Sequence, residues 1–156
     1  MCIRDRDIAL AMRLADAAGE AIRPHFRSGL TAERKSDASP VTIADQAAEE
    51  AMRRILKAEV PQDGIIGEEF GTEEGTSRRT WVLDPIDGTV SFIAGRPIFG
   101  TLIALLVDGW PVLGVIAQPI LRERWVGASG AATTFNGQPV RTRACRELSE
   151  LSLIHI

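Results

Sequence analysis

Trp81-Val82-Leu83-Asp84-Pro85-Ile86-Asp87-Gly88-Thr89 is the stretch on which the reading of this chain turns. An apolar run of strand length ends in a carboxylate, and burying a carboxylate is costly unless a cation or hydrogen-bond donors compensate it. Pro85 predicts a change of direction that lets Asp87 face the same point as Asp84. Gly88 permits close backbone approach, and Thr89 opens a short helix expected to run through Phe92. A helix start offers free N–H groups and positive potential, which suit a phosphate. Two carboxylates beside it imply a bridging hard cation, and oxygen-only ligands with a phosphate point to Mg2+ rather than zinc. The bland alternative is an Asx turn with a helix cap, since Asp-Pro and Asp-Gly are each common in turns.

Upstream, Ile65-Ile66-Gly67-Glu68-Glu69 supplies a second acidic strand end. Alone it reads as a solvated loop carboxylate. Paired with the aspartates it provides the third carboxylate that a binuclear metal site requires. Asp45 falls in the first turn of a helix, where the helix dipole favours a negative charge. Its functional reading is that it accepts a hydrogen bond from the Thr89 hydroxyl, so that Thr89 can orient or deprotonate a water.

Around these motifs the chain reads as two helices followed by strands. Ile8, Met12, Ala15, Gly19, Ile22 and Phe26 recur at helical spacing, with Pro24 weakening the last turn and Gly29 as a stop. After a polar loop over Ser36 to Pro40, Thr42 makes an N-cap for a second helix. That helix presents Ala44, Ala48, Ala51 and Ile55 on one face and Glu49, Glu50, Arg53 and Arg54 on others. Strands are expected at 65–68, 80–84, 99–107, 112–117, 123–127 and 133–135, with Asp108-Gly109 and Asn136-Gly137 as hairpin signals. Two helices packed on a mostly antiparallel sheet is an α+β arrangement in one domain.

Composition narrows the function. Forty-five per cent apolar and 25% charged residues suit a globular domain. A net charge of −3 gives no reason to expect nucleic acid or an anionic membrane as partner. The basic cluster Arg141, Arg143, Arg146 reads as a solvated face. Two cysteines, Cys2 and Cys145, form neither a CxxC pair nor a disulfide framework, which fits a reducing cytoplasm. No apolar run reaches membrane-spanning length.

The termini read as foreign. Met1 to Arg6 can be encoded by a transposon end used in preparing sequencing libraries, and the reverse complement of that DNA spells Leu-Ser-Leu-Ile-His, the residues at 151–155. Residues 1–6 and 151–156 are therefore expected to be adaptor scars, and 7–150 the N-terminal catalytic part of a longer domain.

The Gly-Glu-Glu strand end followed by Asp-Pro-Ile-Asp-Gly-Thr resembles the signature of the inositol monophosphatase superfamily, and the likeness extends over nearly all of 7–150. The resemblance implies the N-terminal half of a layered α/β/α/β/α sandwich that hydrolyses small phosphomonoesters with two or three Mg2+ ions. Glu68, Asp84, the Ile86 carbonyl and Asp87 are the implied metal ligands. Glu68, Asp87, Gly88 and Thr89 surround the phosphate, and Thr89 with Asp45 activates the water. Ser91-Phe92-Ile93-Ala94-Gly95-Arg96-Pro97, the run 99–106, Gln118-Pro119 and Glu123-Arg124-Trp125-Val126-Gly127 are similar to the histidinol-phosphatase branch, which implies L-histidinol phosphate as substrate in histidine biosynthesis. Val90 stands where that branch usually has Lys, and Ala117 where it usually has Asp. The family's third aspartate is expected beyond residue 150, so the chain as written should have little activity and the complete gene product should have it. A homodimer is the family's common assembly. The rival readings are an inositol-1-phosphate or phosphoadenosine phosphatase and, in another class, a non-catalytic metal-binding domain.

Overall fold

The computed structural model describes residues 3–28, 33–34 and 40–147; Cys2, Gly29, residues 36–39 and the segment 151–156 lie outside the described residues. Helix α1 spans Ile3–Ile22 and passes into a short 3-10 turn, Arg23–His25, at Pro24. It takes in Ile3 to Arg6 as well as the residues expected to be helical. Its buried face is Leu10, Ala11, Leu14, Ala15, Ala18 and Ile22. Of the expected stripe, Ala15, Gly19 and Ile22 are buried and Ile8 and Phe26 pack against the core, whereas Met12 is 40% exposed and Leu10 and Leu14 are buried in addition. The leucines satisfy helical spacing as Met12 does, and packing on the sheet selects them.

A two-stranded ladder follows, β1 at Glu33–Arg34 antiparallel to β2 at Pro40–Val41. Helix α2, Ile43–Glu59, begins with a capping box. Thr42 is its N-cap and accepts from the Ala44 N–H at 3.2 Å, while the Asp45 carboxylate accepts from the Thr42 N–H at 2.8 Å. Ala44, Ala48, Met52 and Leu56 line the core side. Glu49 and Arg53, expected on faces other than the alanine one, are buried there as well.

The remaining elements are β3 (Gly64–Gly67), β4 (Gly71–Glu73), β5 (Arg79–Asp87), α3 (Thr89–Ile93), β6 (Gly100–Val107), β7 (Trp110–Gln118), β8 (Glu123–Ala128), β9 (Thr134–Phe135) and β10 (Gln138–Pro139). Their eight strands form one sheet in the order β10-β9-β8-β7-β6-β5-β3-β4. Only β3 and β5 pair in parallel; every other ladder is antiparallel. The α+β class with a mostly antiparallel sheet therefore holds. Asp108 and Asn136, at φ 53° and 47°, sit in the left-handed region as two-residue hairpin turns require.

Alternation along the strands sends Trp81, Leu83, Ile103, Leu105, Leu113 and Val115 under the two helices, where all are buried. The neighbours of opposite parity face away, with Ile66 40% and Ile116 50% exposed. One face of the sheet is thus a core and the other an apolar surface. Phe26, Phe92 and Phe99 form a ring cluster, with centroids 5.2 to 5.9 Å apart, that ties α3 to the end of α1. A cavity of about 660 Å³ lies between α1 and β7–β8, with Ile8, Met12, Ala117 and Pro119 in its wall. The acidic residues singled out above do not line it. Among the described residues no helix is long and apolar enough to cross a membrane.

Candidate active site

Because β3 and β5 run parallel with Gly67 opposite Leu83, β3 ends beside the stretch of β5 that carries Asp84. The Glu68 N–H donates to the Leu83 carbonyl at 3.1 Å, which sets Glu68 beside Asp84. The chain does not turn at Pro85, as expected, but stays in the sheet to Asp87 with a shift of register between Asp84 and Asp87. Proline lacks an N–H, so it is tolerated where a ladder is irregular. Its carbonyl accepts from the buried Thr101 hydroxyl at 2.8 Å, which holds the irregularity in place. Gly88 follows at φ +95°, a conformation costly for any residue with a Cβ, and caps α3.

The Thr89 hydroxyl donates to the Ile86 carbonyl at 3.1 Å, with Asp45 Oδ1 at 3.5 Å, the outer limit of hydrogen bonding. A hydroxyl has one proton, so the nearer acceptor holds it here. Asp45 is 2% exposed, and its second oxygen also accepts from the Thr42 hydroxyl at 2.5 Å.

Asp84 is the electrostatic centre of the edge. Burial pushes its carboxyl up to about 7, aided by a hydrogen bond with Glu68 and by repulsion from Glu68, Asp87 and Asp45. Its Oδ1 is buried with no hydrogen-bond partner. Four carboxylates thus act on one point, with one oxygen left for a ligand. Among the described residues no group of three acidic, histidine or cysteine side chains is placed to hold a metal ion. Without a cation, like charges relax apart or share a proton, so a closed cage is not the arrangement to expect. The donor set is oxygen only, and it fits a hard divalent cation.

Of the two departures noted in the sequence, Val90 is 68% exposed beside Thr89, whereas Ala117 is buried on the face turned toward α1. Sequence reasoning missed Glu49 and Arg53. Their i, i+4 spacing was the available signal, but it equally describes a surface pair.

A mixed-sheet α+β domain with an oxygen-rich edge, where a parallel strand pair meets a short helix, defines the class of this molecule. The inositol monophosphatase family model matches residues 4–155, and the chain belongs to that family. It is 54% identical over 96% of its length to the chloroplastic bifunctional phosphatase IMPL2 of Arabidopsis thaliana, covering 44% of that protein. It is 42% identical over 95% of its length to the histidinol-phosphatase of Chlorobaculum parvum, covering 58% of it. Among solved structures, an inositol monophosphatase from Zymomonas mobilis aligns with a TM-score of 0.80 at 56% identity, covering 94% of this chain and 56% of that one. The chain spans about half the length of the relatives it matches.

Proposed function

We propose that the full-length protein is a Mg2+-dependent phosphomonoesterase and that its substrate is L-histidinol phosphate. The observation that carries the metal dependence is Asp84: a carboxyl held near 7 by burial and by three neighbouring carboxylates, with an unbonded buried oxygen. Such a group, half-buried with one oxygen enclosed, is poorly stabilised until a cation joins it. Glu68, Asp84, Asp87 and the Ile86 carbonyl would hold two or three Mg2+ ions, which supply charge neutralisation and a lowered water pKa when bound.

The residues of the chain then have separable tasks. Asp45, capped into the first turn of α2, holds a fixed negative charge toward Thr89. Thr89 orients the attacking water and passes its proton toward Asp45. The backbone N–H groups after Gly88 receive the phosphate oxygens. Water attacks phosphorus in line, and no cysteine or histidine of the site is assigned a covalent role. Val90, exposed beside Thr89, leaves the pocket without the lysine charge that the branch usually has.

The histidinol-phosphatase relatives and the 91–97 and 99–106 segments support histidinol phosphate. The likeness to an inositol monophosphatase structure and the neutral Val90 support a sister phosphatase instead. A panel of L-histidinol phosphate, inositol-1-phosphate and phosphoadenosine phosphate, assayed for phosphate release by the full-length protein with Mg2+, separates them. Fastest turnover of histidinol phosphate is expected; preference for another member reassigns the substrate. Mg2+ binding without release from any of them would instead identify a non-catalytic domain. The apolar face with Ile66 and Ile116 is the surface on which we place the rest of the family's length, giving the layered sandwich. A cytoplasmic homodimer is the assembly proposed.

A further inference from the structure

Glu49 lies one helical turn beyond Asp45 on α2 and is fully buried. Its carboxylate is saturated. It accepts from the Glu69 N–H at 2.7 Å, from the Phe70 N–H at 3.2 Å and from Arg53 Nε at 2.7 Å. Arg53, 5% exposed, goes on to donate to Glu73 at 2.9 Å and to the Gly71 carbonyl. A Cβ added at Gly67 would overlap the Glu49 carboxylate and approach Arg53 Nη2 to 2.6 Å, so this strand end is shaped around the pair.

The two N–H groups that Glu49 receives are those immediately after Glu68, while the Glu68 N–H itself is fixed to Leu83, the residue before Asp84. Glu68 is therefore pinned from both sides. One face of α2 sends Asp45 toward Thr89 and, a turn later, Glu49 to the backbone behind Glu68.

We propose that Glu49, backed by Arg53, is a positioning residue, not a ligand: it fixes the Glu68 backbone beside Asp84, so that less freedom is lost when a cation draws the carboxylates together. This rests on the metal-site reading above. Hydrogen bonds behind a ligand commonly govern affinity because they remove the freedom the ligand would otherwise lose on binding. A clamp on backbone N–H groups does this for a carboxylate whose side chain must stay open to the ion.

The test is Mn2+ affinity, measured by calorimetry or electron paramagnetic resonance on the full-length protein well below its melting temperature. Glu49→Gln keeps the shape and one acceptor but loses the charge. Gly67→Ala keeps both charges and displaces the carboxylate. Each is expected to weaken Mn2+ binding by about 10- to 100-fold, the range usual for groups supporting a metal ligand. Asp63→Asn is the control. Asp63 bonds Arg79 and Trp81, each at 3.0 Å, in a partly buried cluster at the other end of β5, so its loss should lower the melting temperature and leave Mn2+ affinity unchanged. Excess Mn2+ should restore turnover in Glu49→Gln. Wild-type affinity in a folded Glu49→Gln protein, or equal weakening in Asp63→Asn, overturns the positioning role while leaving the metal site intact. Absence of Mn2+ binding by the wild type overturns the metal site and this role together.

Discussion

Glu49 and Asp84 both bring carboxylate oxygens into the interior of one small domain, and their surroundings are opposite. Glu49 has an arginine and two backbone N–H groups on its oxygens. Asp84 has three carboxylates for neighbours, a buried oxygen without a partner, and a carboxyl raised to about 7. The same functional group is stabilised where the fold supplies donors and left electrostatically strained where the fold withholds them. A domain that stabilises one carboxylate with a full set of donors could have done so for the other. That it does not marks the β3–β5 edge as a place that awaits a ligand, an inference that perturbed buried acids generally support.

The comparison can be broken by exchanging the two outcomes. Asp84→Asn is expected to have the largest effect on function: phosphate release by the full-length protein falls below detection, and Mn2+ binding weakens by at least about a hundredfold, the upper range for lesser groups around a metal. The same variant should melt higher than wild type in EDTA at pH 8, because an amide ends the repulsion. A lower melting temperature there would show that Asp84 is compensated after all.

Glu49→Ala should do the reverse to stability. Removing Glu49 takes from the buried Arg53 its buried carboxylate partner, leaving the half-exposed Glu73, and strips the Glu69 and Phe70 N–H groups of their acceptor. The cost is expected to approach that of a broken buried pair, about 3–5 kcal/mol, read from chemical denaturation. A loss under about 1 kcal/mol would place Glu49 among exposed pairs instead.

Proton linkage sharpens the contrast. In the folded, metal-free chain Asp84 titrates near 7 instead of its ordinary 3.8. The folded state then holds more protons than the unfolded between those values, so this group's contribution to stability is present at low pH and is lost as pH rises toward 7. Cation binding must displace that proton. Apparent Mn2+ affinity should therefore rise about tenfold per pH unit below 7 and level off above it. A pH-independent affinity between 5 and 8 would contradict the assignment.

The smallest effect belongs to an exposed pair. Arg78 and Asp108 are bonded at the β6–β7 turn with side chains 80% and 40% exposed. Asp108→Asn suits the same left-handed turn and should change stability by no more than about 0.5 kcal/mol in thermal denaturation.

Much of the fold was legible because its signals are local. Thr42 with Asp45 spells a helix start, Asp108-Gly109 and Asn136-Gly137 spell tight hairpins, and Thr89 after Gly88 spells the start of a short helix. Other features were not legible. Overlapping stripes of α1 have helical period, and only the sheet beneath decides that Leu10 and Leu14 are buried while Met12 is exposed. The strand through Pro85 continues because β6 supplies Thr101 to its carbonyl, a partner 16 residues away. Glu49 and Arg53 carry the spacing of a surface pair, and their burial depends on where β3 and β4 arrive.

By itself, then, the sequence determined the oxygen-bearing side chains on which the proposed chemistry rests: Asp45, Glu68, Asp84, Asp87 and Thr89 carry oxygens whatever the fold, and turns and caps follow from a few adjacent residues. The tertiary structure alone decided which of the acids would be quiet. Whether a carboxylate is stabilised depends on donors brought from distant segments, and that is set by the parallel pairing of β3 with β5 and by the seating of α2 above them. Residue type is a local property; electrostatic environment is a sum over everything the fold places nearby.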